Sequence, residues 1–261
     1  MNKIFASIAI SIIIIWAAGC GKPVVKLEAN AEDQFAKAKV EYDKNHWLKS
    51  IEGFQKVIFN FPGADIVDTA QYYLAMSYYN NKDYELGAVE FRRLMTNYPQ
   101  SAYYDEAQFM TGVCYLKNTP GHYALDQEDL KKAIQQLQDF IMDNPDSPLV
   151  EEAQQSINEG MTKLAHKEYE NGMLYFKLYQ YESAKIYFQY VIDTYTGTSY
   201  AASAQFRLAE ISFKKNEYPD ALVKFNNFIT VYPENELVPK AEEYIKEINR
   251  LQETSDVSDK S

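Results

Sequence analysis

Five segments of the chain repeat one spacing pattern, and this constrains the fold more than any single residue does. They begin at Trp47, Tyr84, Leu130, Tyr181 and Tyr218, and two of the four intervals between them are 37 residues. Three residues after each start comes a small side chain: Ser50, Gly87, Ala133, Ala184 or Ala221. Seven after it comes a large apolar one: Phe54, Phe91, Leu137, Phe188 or Phe225. At fourteen stand Phe61, Tyr98, Asn144, Tyr195 and Tyr232, four of them followed by proline at 62, 99, 145 and 233. At twenty-three every copy has alanine: Ala70, Ala107, Ala153, Ala204 and Ala241. A fixed period of this kind marks a stack of supersecondary units.

The offsets translate into geometry. Small at three and large at seven fall on one helical face, and the aromatic-proline pair stops the helix after about four turns. A second helix runs through each alanine, as over Thr69–Asn81 and Ser203–Lys215, where apolar residues recur at helical spacing. Each unit is therefore a helical hairpin, and small residues at the crossings let neighbouring hairpins bury their apolar faces on one another.

The period breaks twice. Between Tyr84 and Leu130 the surplus is Asn118–Gln127 (NTPGHYALDQ), which reads as a long loop inside one hairpin. Between Leu130 and Tyr181 the surplus contains no such breaker. Its fourteen residues are close to four helical turns, so one long helix is expected from about Pro148 to Leu178.

Met1-Asn2-Lys3 forms a short positive region, Ile4–Ala18 is apolar except for Ser7 and Ser11, and Ala17-Ala18-Gly19-Cys20 follows. The run is short for a membrane span and reads as a secretory signal over residues 1–19. It resembles a bacterial lipoprotein signal, which implies that Cys20 is acylated and becomes the first mature residue. Ala17 stands where that pattern favours Leu, which leaves ordinary cleavage or an uncleaved anchor as the alternative. Gly21 stands where an Asp would, by the enterobacterial sorting rule, retain a lipoprotein at the inner membrane, and so implies the outer membrane. Residues 20–30 read as a lipidated tether, 31–252 as the solenoid, and 253–261 as a disordered polar tail.

Of two cysteines, acylation would use Cys20 and leave Cys114 as a small core residue, so packing rather than a disulfide holds the fold. Without the signal, 25 basic side chains face 37 acidic ones. That balance argues against nucleic acid or anionic headgroups as the main partner. His46, His122 and His166 lie far apart and none is spaced with another His or Cys as a metal pair. No phosphate loop or nucleophile motif is present. The residues point to binding rather than catalysis, with no metal or cofactor.

The repeat resembles the tetratricopeptide family. In that phasing the alanine-bearing helix comes first, and the matching pairs are Ala75 with Tyr78, Gly112 with Tyr115, and Gly172 with Tyr175. The resemblance implies an all-α, right-handed solenoid of about five hairpins, with the long helix shared between the third and fourth and a capping helix at the C-terminus. About three residues beyond the usual period, such as Gly63–Asp65 and Gln100–Ala102, suggest longer first helices. In such arrays the first helices line a concave groove. Carried over by register, its positions are Phe35, Lys39 and Tyr42, then Tyr72, Met76 and Tyr79, then Phe109, Val113 and Leu116. Such a surface suits an extended peptide with apolar or aromatic side chains, though the same residues also suit packing between helices.

The order of these marks resembles the BamD (YfiO) family, lipoproteins of the outer-membrane β-barrel assembly machinery. They are the acylated cysteine, the loop insertion before Asp126-Gln127, the stretch Ala133-Ile134 to Asn144-Pro145-Asp146-Ser147, and the long helix with Lys167-Glu168-Tyr169. The resemblance implies a lipid-anchored scaffold at the outer membrane, facing the periplasm. Its N-terminal hairpins would receive targeting strands of unfolded barrel precursors, and its C-terminal hairpins, about Tyr181–Leu251, would dock the periplasmic domains of a BamA-type barrel protein. The alternatives are a repeat adaptor of another envelope system, in peptidoglycan synthesis or Tol-Pal, and a glycan-binding surface lipoprotein.

Overall fold

The structure, a computed structural model, describes residues 30–258; Cys20 and the signal lie outside the described residues. Among the described residues there are eleven helices and no strands. They are α1 (Ala31–Asp43), α2 (Trp47–Asn60), α3 (Val67–Asn80), α4 (Tyr84–Asn97), α5 (Tyr104–Asn118), α6 (Glu128–Asp143), α7 (Val150–Lys177), α8 (Tyr181–Thr194), α9 (Ser199–Lys214), α10 (Tyr218–Val231) and α11 (Val238–Ser258). Each helix packs on its neighbour in sequence. The result is a solenoid of five hairpins, α1/α2, α3/α4, α5/α6, the C-terminal half of α7 with α8, and α9/α10, closed by α11. No helix among the described residues is long and apolar enough to cross a membrane.

The repeated offsets fix the ends and the core. Four second helices start on their anchors, Trp47, Tyr84, Tyr181 and Tyr218, while α6 begins two residues before Leu130. The residue at plus fourteen is the C-cap of every second helix: Phe61, Tyr98, Asn144, Tyr195 and Tyr232. Where proline follows, the ring excludes the preceding residue from helical backbone, and the helix has no alternative but to end. The plus-seven side chains and the plus-twenty-three alanines are all fully buried.

Small residues on first helices meet the plus-seven side chains of the same hairpin. A Cβ on Gly112 would lie 2.7 Å from Leu137 Cγ, and one on Gly172 would lie 2.7 Å from Phe188 Cε1. Four of the turns inside hairpins share one design. A residue at φ +59, +67, +59 or +58 (Asn45, Lys82, Tyr179, Asn216) turns the chain left-handed. The next residue's N–H then reaches back to a helix carbonyl at 2.9 Å, as from Gln180 to Tyr175. The third hairpin has the expected loop instead, between Asn118 and Glu128.

Three expectations change. The extra residues after each proline lie in the turns, where Ala64 N–H bonds Phe61 O at 3.0 Å and Ser101 N–H bonds Tyr98 O at 2.9 Å; they do not lengthen the first helices. Helices α3 and α9 begin earlier than Thr69 and Ser203, at Val67 and Ser199. And α11 continues to Ser258, through the start of the segment read as a tail, because no glycine or proline interrupts the chain after Pro239. The single long helix expected from about Pro148 to Leu178 is present as α7, 28 residues over Val150–Lys177. Its first half packs on α6, with Gly160 against Ile134 and Leu130, and its second half pairs with α8.

Candidate functional site

The groove positions carried over by register fall on α1, α3 and α5, and the structure treats the three tiers differently. On α1, Phe35, Lys39 and Tyr42 recur at plus four and plus seven and form one half-buried stripe. The three converge on Tyr73 of α3. Phe35 and Tyr42 meet that ring edge-on at 5.9 and 5.1 Å, and Lys39 Nζ lies 5.0 Å from its centroid. Lys39 also bonds Asp43 at 2.5 Å, and Asn80 Nδ2 donates to Tyr42 Oη at 3.1 Å. Burial pushes the Tyr42 phenol above its ordinary range, so it stays neutral. Tyr73 was not among the positions carried over. Its only signal in the sequence is the Tyr72-Tyr73 pair, which puts one ring on each side of the α3 stripe.

The second tier divides. Met76 and Tyr79 are half-buried, and Tyr79 meets Tyr84 at 5.5 Å. Tyr72 is buried. It stacks on Tyr103 at 4.3 Å and donates its hydroxyl to Glu106 Oε1 at 2.5 Å, and burial followed by that carboxylate raises its pKa strongly. The ring is thus held as a strut between α3 and the start of α5.

The third tier is core. Phe109, Val113 and Leu116 are all buried, and Phe109 packs on Phe140 at 5.6 Å. Phe140 belongs to α6, the second helix of the same hairpin, and α7 lies against both α5 and α6. The partly open apolar stripe therefore runs over Phe35, Tyr42, Tyr73, Met76, Tyr79 and the ring of Tyr103, on the first two hairpins and the start of the third.

At the other end, a hollow of about 710 Å³ lies between α8, α9 and α10, lined by Ile186, Tyr190 and Leu208 together with Glu182, Asp193 and Lys224. Beneath these hairpins a buried polar chain ties three helices. Arg207 donates to Tyr169 Oη at 3.2 Å and to Glu210 at 2.5 Å, and Tyr244 donates to Glu210 at 2.9 Å.

The sequence profile of the YfiO family, described as outer membrane lipoproteins, matches residues 27–211, and a tetratricopeptide-repeat profile matches 203–235. No curated protein matches the chain. Among solved structures it is similar to a tetratricopeptide repeat protein from Parabacteroides merdae, at 12% identity over 88% of this chain and 78% of that one, with a TM-score of 0.36. It is also similar to TTC0263 of Thermus thermophilus (14%, 83% and 99%, TM-score 0.36). A third is YrrB, described as having an unusual peptide-binding site (17%, 82% and 92%, TM-score 0.35). With a profile match that spans well over half its length, the chain belongs to the YfiO family of outer membrane lipoproteins.

Proposed function

We propose that this protein is the lipid-anchored scaffold of an outer-membrane β-barrel assembly machine. The observation that carries the reading is the family match over residues 27–211. In this reading Cys20 carries the acyl chains, and residues 20–30 tether the solenoid to the periplasmic face of the outer membrane. The stripe on the first hairpins receives the aromatic-ended targeting strand of an unfolded barrel precursor. Support comes from its half-buried rings on rigid helices, which supply contact area at small entropic cost. The hairpins from Tyr181 onward, with the hollow over Leu208, dock the periplasmic domains of a BamA-type barrel protein. The scaffold needs no chemistry of its own: anchoring and capture raise the local concentration of precursor beside the barrel former.

The test is a mild-detergent pull-down of the tagged lipoprotein from its own envelope, with the retained proteins identified by mass spectrometry. A BamA-type barrel protein recovered in stoichiometric amount supports the reading. Recovery of peptidoglycan synthases, Tol-Pal proteins or a glycan transporter in its place overturns it and leaves the solenoid and the family intact.

A further inference from the structure

Two places after the small residue of each first helix stands a side chain that faces the preceding hairpin. In the second, third and fifth hairpins it is Ser77, Cys114 and Ile211, all fully buried. In the first hairpin it is Val40, 48% exposed. In the fourth it is Leu174, 56% exposed although three hairpins precede it.

The cause is a mismatch of length. Helix α7 has 28 residues and α6 has 16, so at about 1.5 Å per residue α7 outruns its partner by roughly 18 Å. Gly160 sits against Leu130, near the start of α6, and the inserted loop covers the next turn, with Lys167 Nζ 3.5 Å from Leu125 O. Past that point Lys167, Asn171, Leu174 and Leu178 lie along one line of the helix at spacings of four, three and four. Leu125, Leu178 and Tyr179 extend the exposed apolar surface at its two ends. Tyr179 is 78% exposed and holds φ +59, a conformation that asparagine adopts at two of the three matching turns, and its ring meets the edge of Tyr181 at 6.3 Å.

We propose that this step takes an amphipathic helix from a partner protein, with an apolar stripe flanked by carboxylates. A helix is the occupant because every other internal hairpin buries this face against the second helix of the hairpin before it; the partner supplies the missing neighbour. Carboxylates follow from Lys167 and Lys177, which flank the leucines and outnumber Glu170, the acidic residue one turn before Leu174, in a chain whose net charge is −11. The proposal rests on stacking geometry and goes beyond the barrel-assembly reading, whose peptide stripe lies on the first hairpins.

The experiment places a photo-cross-linking amino acid at 174 or 178 of the full-length, membrane-anchored protein in its own envelope, with position 48 as an exposed control. Adducts are mapped to the peptide, and helical content is checked for each variant. The expected result is an adduct at 174 and 178, absent at 48, on a partner segment whose apolar residues recur at helical spacing among Asp and Glu. Lys167→Glu with Lys177→Glu is expected to cut its yield at least threefold. No adduct above the control, an adduct to lipid, to a second copy of this chain or to an extended barrel strand, or a yield indifferent to charge reversal would overturn the proposal. Loss of the barrel protein from the pull-down with this adduct retained would remove only the assembly reading.

Discussion

Gly172 and Phe188 approach so closely that a β-carbon on the glycine would lie 2.7 Å from one ring carbon and 2.8 Å from its neighbour. The ring is fully buried and has no room to swing, so the hairpin of α7 and α8 is closed by the absence of a side chain. Gly112 stands in the same relation to Leu137.

Gly172→Ala is therefore expected to destabilise the protein by about 1–3 kcal/mol in urea unfolding, despite the better helix propensity of alanine. Adding Phe188→Leu to that variant should recover part of the loss, because the smaller side chain yields space. Gly63→Ala, with nothing within 4 Å of its added carbon, is the control and should change stability little. Equal effects at the two glycines would refute the close-approach argument.

Folding and binding separate along the stripe. Phe109→Ala removes a buried ring and should cost about 3–5 kcal/mol. Tyr42→Ala and Tyr79→Ala remove half-buried rings and should cost less, yet lower the affinity for a peptide ending in an aromatic residue at least fivefold. Titration calorimetry on variants with unchanged circular dichroism decides it, and unchanged affinity in both would move the binding site elsewhere.

Stability should fall in alkali. Burial, the first cause at each site, raises the tyrosines at 42, 72, 79, 195 and 244 above the ordinary phenol value of about 10. A group raised in the folded state contributes stability that is fully present below its unfolded pKa, here about 10, and is lost as pH rises through its folded one. Urea midpoints should thus hold to about pH 9.5 and decline above pH 10. Tyr244→Phe should make that decline shallower, and an equally steep decline in the variant would exclude Tyr244 as a contributor.

Tyr179→Asn should raise stability by about 0.5–1 kcal/mol, because asparagine tolerates the left-handed backbone that tyrosine holds at φ +59. A lower thermal midpoint would mean that the edge contact with Tyr181 outweighs the backbone cost.

Most of the scaffold was legible because the repeat encodes helix starts, caps and core contacts as side-chain size at fixed offsets. Trp47, Tyr84, Tyr181 and Tyr218 begin helices, and Phe61, Tyr98, Asn144, Tyr195 and Tyr232 cap them. The candidate site was less so. Register gives Tyr72 and Phe109 the same groove positions as Met76 and Tyr79, but which rings are buried depends on partners some thirty residues downstream, Tyr103 and Glu106 for Tyr72 and Phe140 for Phe109, beyond the reach of a local spacing. For the same reason Leu174 reads as one more repeat position, and its exposure emerges only when the lengths of α6 and α7 are compared. Tyr73 was missed because the family's groove positions skip it, while here it is the ring on which α1 converges.

A single helix crossing from one half of the molecule to the other also has a mechanical meaning. Its backbone bonds run unbroken from Val150 to Lys177, so the separation of the two halves, about 42 Å along that axis, is held like the span of a rod. A load applied at the first hairpins reaches the last as rotation or tilt and never as stretch.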